Sequence, residues 1–120
     1  MMDEQQAISA FSALAQAHRL RIVRALVEAG PDGLAAGALA AAGGISSSNL
    51  SFHLKELEHA GLVRSRRASR SIIYSACLTA LSGLVAFLMQ DCCQGHPEVC
   101  APAAAALAAC CTSKESKLDA

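Results

Sequence analysis

Three cysteines near the end of the chain have the spacing of a metal or metalloid site. Cys92 and Cys93 are adjacent, and Cys100 follows after six residues that include a glycine and a proline. Thiolates are soft ligands and select soft or thiophilic ions. Three sulfurs without an obligatory fourth ligand suit trivalent arsenic or antimony, which bind three thiolates in a trigonal pyramid. The spacing therefore predicts a trivalent metalloid site formed by these three cysteines.

A soft divalent metal such as cadmium, lead or zinc is the main alternative for the same cysteines. Zinc usually takes four ligands in a tetrahedral arrangement, and His96, Cys110 or Cys111 could supply the fourth. A switch based on thiol oxidation is a third interpretation, although a disulfide between adjacent cysteines is strained. Unless one of them supplies a fourth metal ligand, we expect Cys110 and Cys111 to be accessory or inert. Cys77 is expected to be a small buried apolar residue.

A second group of residues, in the middle of the chain, has the types that bind nucleic acid. Between Ile45 and Ala76, five residues are basic and two are acidic, so this segment has a net charge of +3 although the whole chain is neutral. Short polar side chains at the start of a helix can reach base edges in the DNA major groove. Arginines on a hairpin suit phosphates or the minor groove. The predicted DNA-binding residues are Ser47, Ser48, Asn49, Ser51, Phe52, His53, Lys55, Arg64, Arg66, Arg67 and Arg70.

Hydrophobic periodicity and the positions of glycine and proline predict the elements that hold these residues. Four predicted helices cover residues 4–16, 18–29, 34–42 and 78–90. A fifth begins at the serines at 46–48 and ends at residue 59. Residues rich in β-branched and aromatic side chains predict two strands, over 62–67 and 71–76. This order is typical of a winged helix-turn-helix. The expected fold class is mainly α with a two-stranded β-hairpin.

The chain resembles the ArsR/SmtB family of bacterial metal- and metalloid-responsive repressors in three segments. These segments are FSALAQAHRLRIVRAL from residue 11, SFHLKELEHAGLV from residue 51 and RSIIY from residue 70. The resemblance covers about residues 8–93. It implies a homodimer, paired through the first and last helices, that binds a pseudo-palindromic operator. Such a protein represses transcription until an inducer binds.

The position of the inducer site also resembles one branch of this family. Some members carry a Cys-x-Cys pair beside the short third helix, but residues 34–44 contain no cysteine. Others use His and carboxylate ligands on the last helix, but residues 78–90 contain no His, Asp or Glu. A Cys-Cys pair and a third cysteine after the last helix resemble the arsenite-responsive branch. We therefore expect residues 1–93 to form the DNA-binding and dimerisation domain and residues 94–120 to complete the inducer site, with no obligatory cofactor.

The composition supports a dimer and limits the other function classes. Twenty-six of the 120 residues are alanine, with three Phe, one Tyr and no Trp, so a monomer would have a thin core. Zero net charge excludes a histone-like polybasic chain. No apolar run reaches the roughly 18 residues of a membrane span, and the acidic, polar N-terminus is not a secretory signal. We expect a cytoplasmic protein with reduced thiols.

A cysteine-dependent enzyme acting on arsenic compounds is the alternative from a different functional class. Such an enzyme needs an activated nucleophile and a loop that binds an oxyanion. The sequence has no phosphate-type glycine loop and no strand-led α/β order. The basic segment would also have no role in such an enzyme. We therefore expect a DNA-binding protein and not an enzyme.

Overall fold

Five helices and three short strands make up the described part of the chain. The computed structural model describes residues 2–89 and, beyond them, Pro102, Ala105 and Ala106. The helices are α1 (Glu4–Leu14), α2 (Ala17–Ala29), α3 (Ala36–Gly43), α4 (Ser47–His59) and α5 (Leu78–Met89). The strands are β1 (Leu34–Ala35), β2 (Val63–Ala68) and β3 (Ser71–Ala76), and a 3-10 turn (Gly30–Asp32) follows α2.

Local side-chain caps begin the first two helices, and α1 ends earlier than its periodicity predicted. Asp3 and Gln6 form a capping box, in which each side chain accepts a hydrogen bond from the backbone N–H of the other residue. The Gln16 side chain accepts from Arg19 N at 3.0 Å and begins α2. Gly30, with φ of 74°, ends α2. Helix α1 therefore ends at Leu14, two residues before the end of the predicted first helix.

The sheet has three antiparallel strands in the order β1-β3-β2. Strands β2 and β3 pair from Val63 opposite Ala76 to Ala68 opposite Ser71. Strand β1 pairs Leu34 with Tyr74 on the other edge of β3. The sequence predicted a two-stranded hairpin and assigned the two residues of β1 to a helix. A two-residue strand has no periodicity of its own, and leucine and alanine favour helix, so the pairing with β3 decides its conformation.

A glycine makes the third strand possible. Gly33 has a φ of 70° and lies against the backbone carbonyl of Tyr74, which a Cβ at this position would overlap. A side chain at this position would therefore hold β1 away from β3. Apart from the extra strand, the predicted winged helix-turn-helix order is confirmed.

The core is small and is built mainly by α2, α3 and α4. Its largest fully buried side chains are Ile22, Leu26, Leu39, Leu57 and Leu62. Helix α4 also buries Leu50 and Leu54, as its periodicity predicted.

Helix α1 packs against α2 and α4 with its alanines and leaves larger side chains exposed. Ala7, Ala10 and Ala13 are buried, whereas Ile8 is 54% exposed and Phe11 is 40% exposed. Small side chains allow the helix backbone to approach its neighbours closely. The larger apolar residues, which also recur at helical spacing, lie on the outside.

The backbone contacts divide the chain into two units, Met1–Leu84 and Val85–Ala120. The first unit contains the helix-turn-helix and the sheet, and the second contains the last residues of α5. The domain boundary predicted after residue 93 lies outside the described residues. Within the described residues, no helix is long and apolar enough to span a membrane.

Candidate nucleic-acid interface

A tight turn fixes the start of α4, the helix predicted to read DNA. Gly44 ends α3 in the left-handed conformation, with φ of 63°. Ile45 is buried and its N–H donates to the carbonyl of Ala40 at 3.0 Å. The Ser46 hydroxyl oxygen then accepts from Asn49 N at 3.4 Å and caps α4. Because Ser46 is the cap, the serines that follow it are not needed for this role.

The outer face of α4 is polar apart from the aromatic ring of Phe52. Leu50, Leu54 and Leu57 are buried on its inner face. All but one of the residues predicted on α4 to bind DNA are exposed: Ser47, Ser48, Asn49, Ser51, Phe52 and Lys55. The Ser51 hydroxyl donates to the backbone carbonyl of Ser47 at 3.2 Å, which leaves its lone pairs available as acceptors.

The exception is His53, and its position corrects the prediction for this residue. His53 is only 8% exposed. Its Nδ1 accepts a hydrogen bond from Arg19 Nε at 3.2 Å, and its ring lies 5.5 Å from that of His18. Burial, followed by the positive charges of Arg19 and His18, lowers the pKa of His53. The imidazole therefore acts as a neutral acceptor inside the protein and does not lie on the outer face of α4.

Arg19 is a residue of this site that the sequence analysis did not identify. Besides its bond to His53, its guanidinium carbon lies 5.6 Å from the centroid of the Phe52 ring, within the range of a cation–π contact. Phe52 itself is 56% exposed. The only signal in the sequence was the position of Arg19 in the first turn of α2, and that position does not identify a partner on another helix.

The four arginines on the hairpin divide into two pairs. Arg66 donates to the backbone carbonyls of Pro31 at 3.3 Å and Asp32 at 3.0 Å, in the 3-10 turn after α2. Arg64 donates to Cys77 Sγ at 3.2 Å. In the part of the chain that the structure describes, Arg67 and Arg70 make no side-chain hydrogen bond. All four are exposed, but only the second pair has guanidinium groups that are not already bonded to the protein.

The tip of the hairpin contains a residue in a conformation that glycine usually adopts. Ser69 has a φ of 57° in the turn between the paired residues Ala68 and Ser71. Arg70 is therefore the second residue of a two-residue turn and lies at the end of the hairpin. This places Arg70 at the point of the hairpin farthest from the strand ends that pair Val63 with Ala76.

Cys77 is not the buried apolar residue that the sequence predicted. It is partly exposed and immediately precedes α5. The hydrogen bond from Arg64 is the main reason why the pKa of its thiol is lowered; the backbone N–H groups of Ala80 and Thr79 act in the same direction, and burial opposes them. Cys77 thus serves as an acceptor at the base of the hairpin.

The predicted inducer ligands Cys92, Cys93 and Cys100 lie outside the described residues. Among the residues that the structure does describe, no group of three or more His, Cys, Asp or Glu side chains is arranged to hold a metal ion.

Comparison with known proteins identifies the family. A model described as a helix-turn-helix domain matches residues 14–66. No similar sequence was found among curated proteins. Among solved structures, NolR from Sinorhizobium fredii is 35% identical, with a TM-score of 0.59 and coverage of 72% of this chain and 83% of NolR.

Two further structures extend the comparison. An ArsR-like transcriptional regulator from Rhodococcus sp. RHA1 is 27% identical, with a TM-score of 0.65 and coverage of 81% of this chain and 89% of that one. The homodimeric winged helix-turn-helix domain of Mb0332 from Mycobacterium bovis, described as a possible ArsR-family regulator, is 28% identical, with a TM-score of 0.56 and coverage of 77% and 87%. The chain belongs to the ArsR/SmtB family of winged helix-turn-helix transcriptional regulators, which are DNA-binding proteins and not enzymes.

Proposed function

We propose that the protein is a homodimeric repressor whose α4 reads operator bases in the major groove. The observation that carries this proposal is the polar outer face of α4, which begins with Ser47, Ser48 and Asn49. Arg67 and Arg70 are the side chains that contact phosphates or the minor groove from the hairpin. Arg64 and Arg66 were predicted to share this role. Because both already donate hydrogen bonds within the protein, we propose that they support the hairpin instead.

Exposed apolar side chains support a dimer through the first and last helices. Ile8 and Phe11 are exposed on α1, and Leu78 and Val85 are exposed on α5. Large apolar side chains exposed on a helix of a small domain are typical of a protein interface. The Mb0332 domain is homodimeric, which supports a dimer but does not identify the helices that form it.

For the inducer, we propose trivalent arsenic or antimony bound by Cys92, Cys93 and Cys100. The support is the sequence: three thiols close together after α5. Continuing the helical stripe of Leu81, Val85 and Leu88 leads to residue 92. Drawing Cys100 onto the adjacent pair would therefore act at the end of the dimer interface. A coupling of about 1–3 kcal/mol per site is enough to lower operator occupancy noticeably.

A soft divalent metal is the second candidate for the same ligands. Zinc would need a fourth ligand, which His96, Cys110 or Cys111 could supply. A trivalent metalloid needs only the three sulfurs.

A gel-shift assay with promoter DNA adjacent to the protein's own gene separates these candidates. We expect the protein to bind the DNA and arsenite or antimonite to release it at lower concentrations than cadmium or zinc. Cys92→Ser, Cys93→Ser and Cys100→Ser should each retain DNA binding and lose release, because two thiolates and a hydroxyl hold the metalloid much more weakly.

Cys110→Ser and Cys111→Ser are the matched controls and should respond to arsenite as the unaltered protein does. If these two substitutions abolish release while the other three do not, the assigned ligands are wrong. Release by cadmium or zinc but not by arsenite would favour the divalent metal.

A further inference from the structure

Phe52 lies on the exposed face of α4, the face that we propose reads DNA. Residues of a helix that are three or four apart share a face, so Phe52 lies between Ser48 and Lys55 and opposite the buried Leu50 and Leu57. It is 56% exposed, the largest exposed fraction among the exposed large apolar side chains of the described residues. An aromatic ring in this position is not used by the core.

The ring is held in place by its neighbours. The Arg19 guanidinium carbon lies 5.6 Å from its centroid, and the His53 ring meets it edge-on at 5.6 Å. Arg19 is itself fixed by its hydrogen bond to Nδ1 of the buried His53. A ring that is supported in this way loses little conformational freedom when it binds, so the contact that it makes is specific in position.

The edges of the base pairs offer such a ring one apolar partner. In the major groove the bases present hydrogen-bond donors and acceptors, and the exception is the C5-methyl group of thymine. The residues three or four positions from Phe52 on α4 are Ser48, Asn49, Lys55 and Glu56. Their side chains are polar or charged and offer a thymine methyl group no apolar contact.

We propose that Phe52 is a specificity-determining residue that contacts the C5-methyl group of a thymine in each operator half-site, with Arg19 as the residue that positions its ring. This inference rests on the proposed DNA-reading role of α4 and names the base that one of its residues recognises. It assigns the polar residues and Phe52 to different base pairs.

The test compares operators that differ by the methyl group alone. The protein first selects its operator from a pool of random duplexes. Synthetic operator is then made with thymine or with deoxyuridine, which lacks the C5-methyl group, and the dissociation constants of the two duplexes are measured. Burial of one methyl group corresponds to roughly 0.8 kcal/mol, or about a fourfold change in affinity for each half-site. We therefore expect the unaltered protein to bind the deoxyuridine operator about fifteenfold more weakly when both half-sites are altered.

Variants show whether Phe52 is responsible for this difference. Phe52→Ala should bind the two operators with equal affinity, and any ratio that it retains measures the effect of deoxyuridine on DNA shape. Phe52→Gln, whose polar side chain has a similar reach, is the second variant and should give the same ratio of one. Arg19→Gln should reduce the ratio toward one, a change that loss of stability alone would not produce. Val27→Ala alters an exposed apolar residue on α2 and should leave the ratio unchanged.

The outcomes separate this inference from the proposed function. If the operator is selected and bound but Phe52→Ala and the unaltered protein show the same ratio, the role of Phe52 is wrong and the repressor function stands. If no sequence is enriched from the random pool, operator recognition fails and the role of Phe52 fails with it.

Discussion

At the scale of single residues, the structure gives His53 and Arg66 roles that their types did not indicate. A histidine in the second turn of a DNA-reading helix and an arginine on a basic hairpin both have residue types that bind DNA. Here His53 accepts from Arg19 in the interior, and Arg66 donates to carbonyls of the turn after α2. In both cases the partner is more than thirty residues away in the sequence, so no local pattern contained the information.

The lowered pKa of His53 makes the stability of the fold depend on pH. Because the folded protein holds this imidazole neutral below its ordinary pKa of 6.5, the unfolded chain binds a proton more readily as the pH falls. This contribution to stability is therefore complete above pH 6.5 and is lost as the pH falls below it. Thermal unfolding at pH 7.5 and 5.5 should show a lower melting temperature at the lower pH.

A His53→Gln variant is the control for this prediction, because its amide oxygen can still accept from Arg19 but does not titrate. Its melting temperature should change less between the two pH values. An equal change in both proteins would assign the pH dependence to other groups.

At the scale of elements, the hairpin combines a structural base with a tip that is available to DNA. Arg67→Ala or Arg70→Ala should weaken operator binding and reduce the slope of log affinity against log salt by about 0.9 for each phosphate that is no longer neutralised, or about 1.8 in a dimer. Neither substitution should change the melting temperature, since neither side chain is hydrogen-bonded in the described structure. Binding isotherms at several salt concentrations measure the slope.

Arg66→Ala is the matched comparison from the same strand. It removes two hydrogen bonds to backbone carbonyls and should lower the free energy of unfolding by about 1 kcal/mol. The salt slope should stay the same. If Arg66→Ala reduced the slope as much as Arg67→Ala, the division of the arginines into two pairs would be wrong.

The sequence predicted elements well where periodicity was long and poorly where pairing was distant. Helices α2 and α4 and both strands of the hairpin lie within one or two residues of their predicted positions. Strand β1 was missed because Leu34 and Ala35 have no extended pattern and become a strand by pairing with β3. The exposed polar face of α4 was predictable because polar residues precede and alternate with the leucine stripe. The Arg19–Phe52 contact joins two helices and was not predictable.

At the scale of the whole molecule, the exposed apolar residues of α1 make the proposed dimer testable. Phe11→Asp places a charge at the proposed interface, where its burial is unfavourable, and should shift the protein from dimer to monomer in sedimentation velocity. Operator affinity should fall with it, since a monomer contacts one half-site.

Val27→Asp is the matched control for the dimer, because Val27 on α2 is also 40% exposed. It should remain dimeric. A dimer that survives Phe11→Asp would place the interface away from α1.

The alanine face of α1 has a consequence for how the protein folds. Ala7, Ala10 and Ala13 remove little apolar area from water when α1 packs on its own subunit, so this packing offsets only part of the conformational entropy that the helix gives up when it orders. In the proposed dimer, the remaining conformational entropy is offset when Ile8 and Phe11 are buried against the partner subunit. Ordering of α1 and association of the two subunits are then a single equilibrium, and the stability of this helix depends on the concentration of the protein.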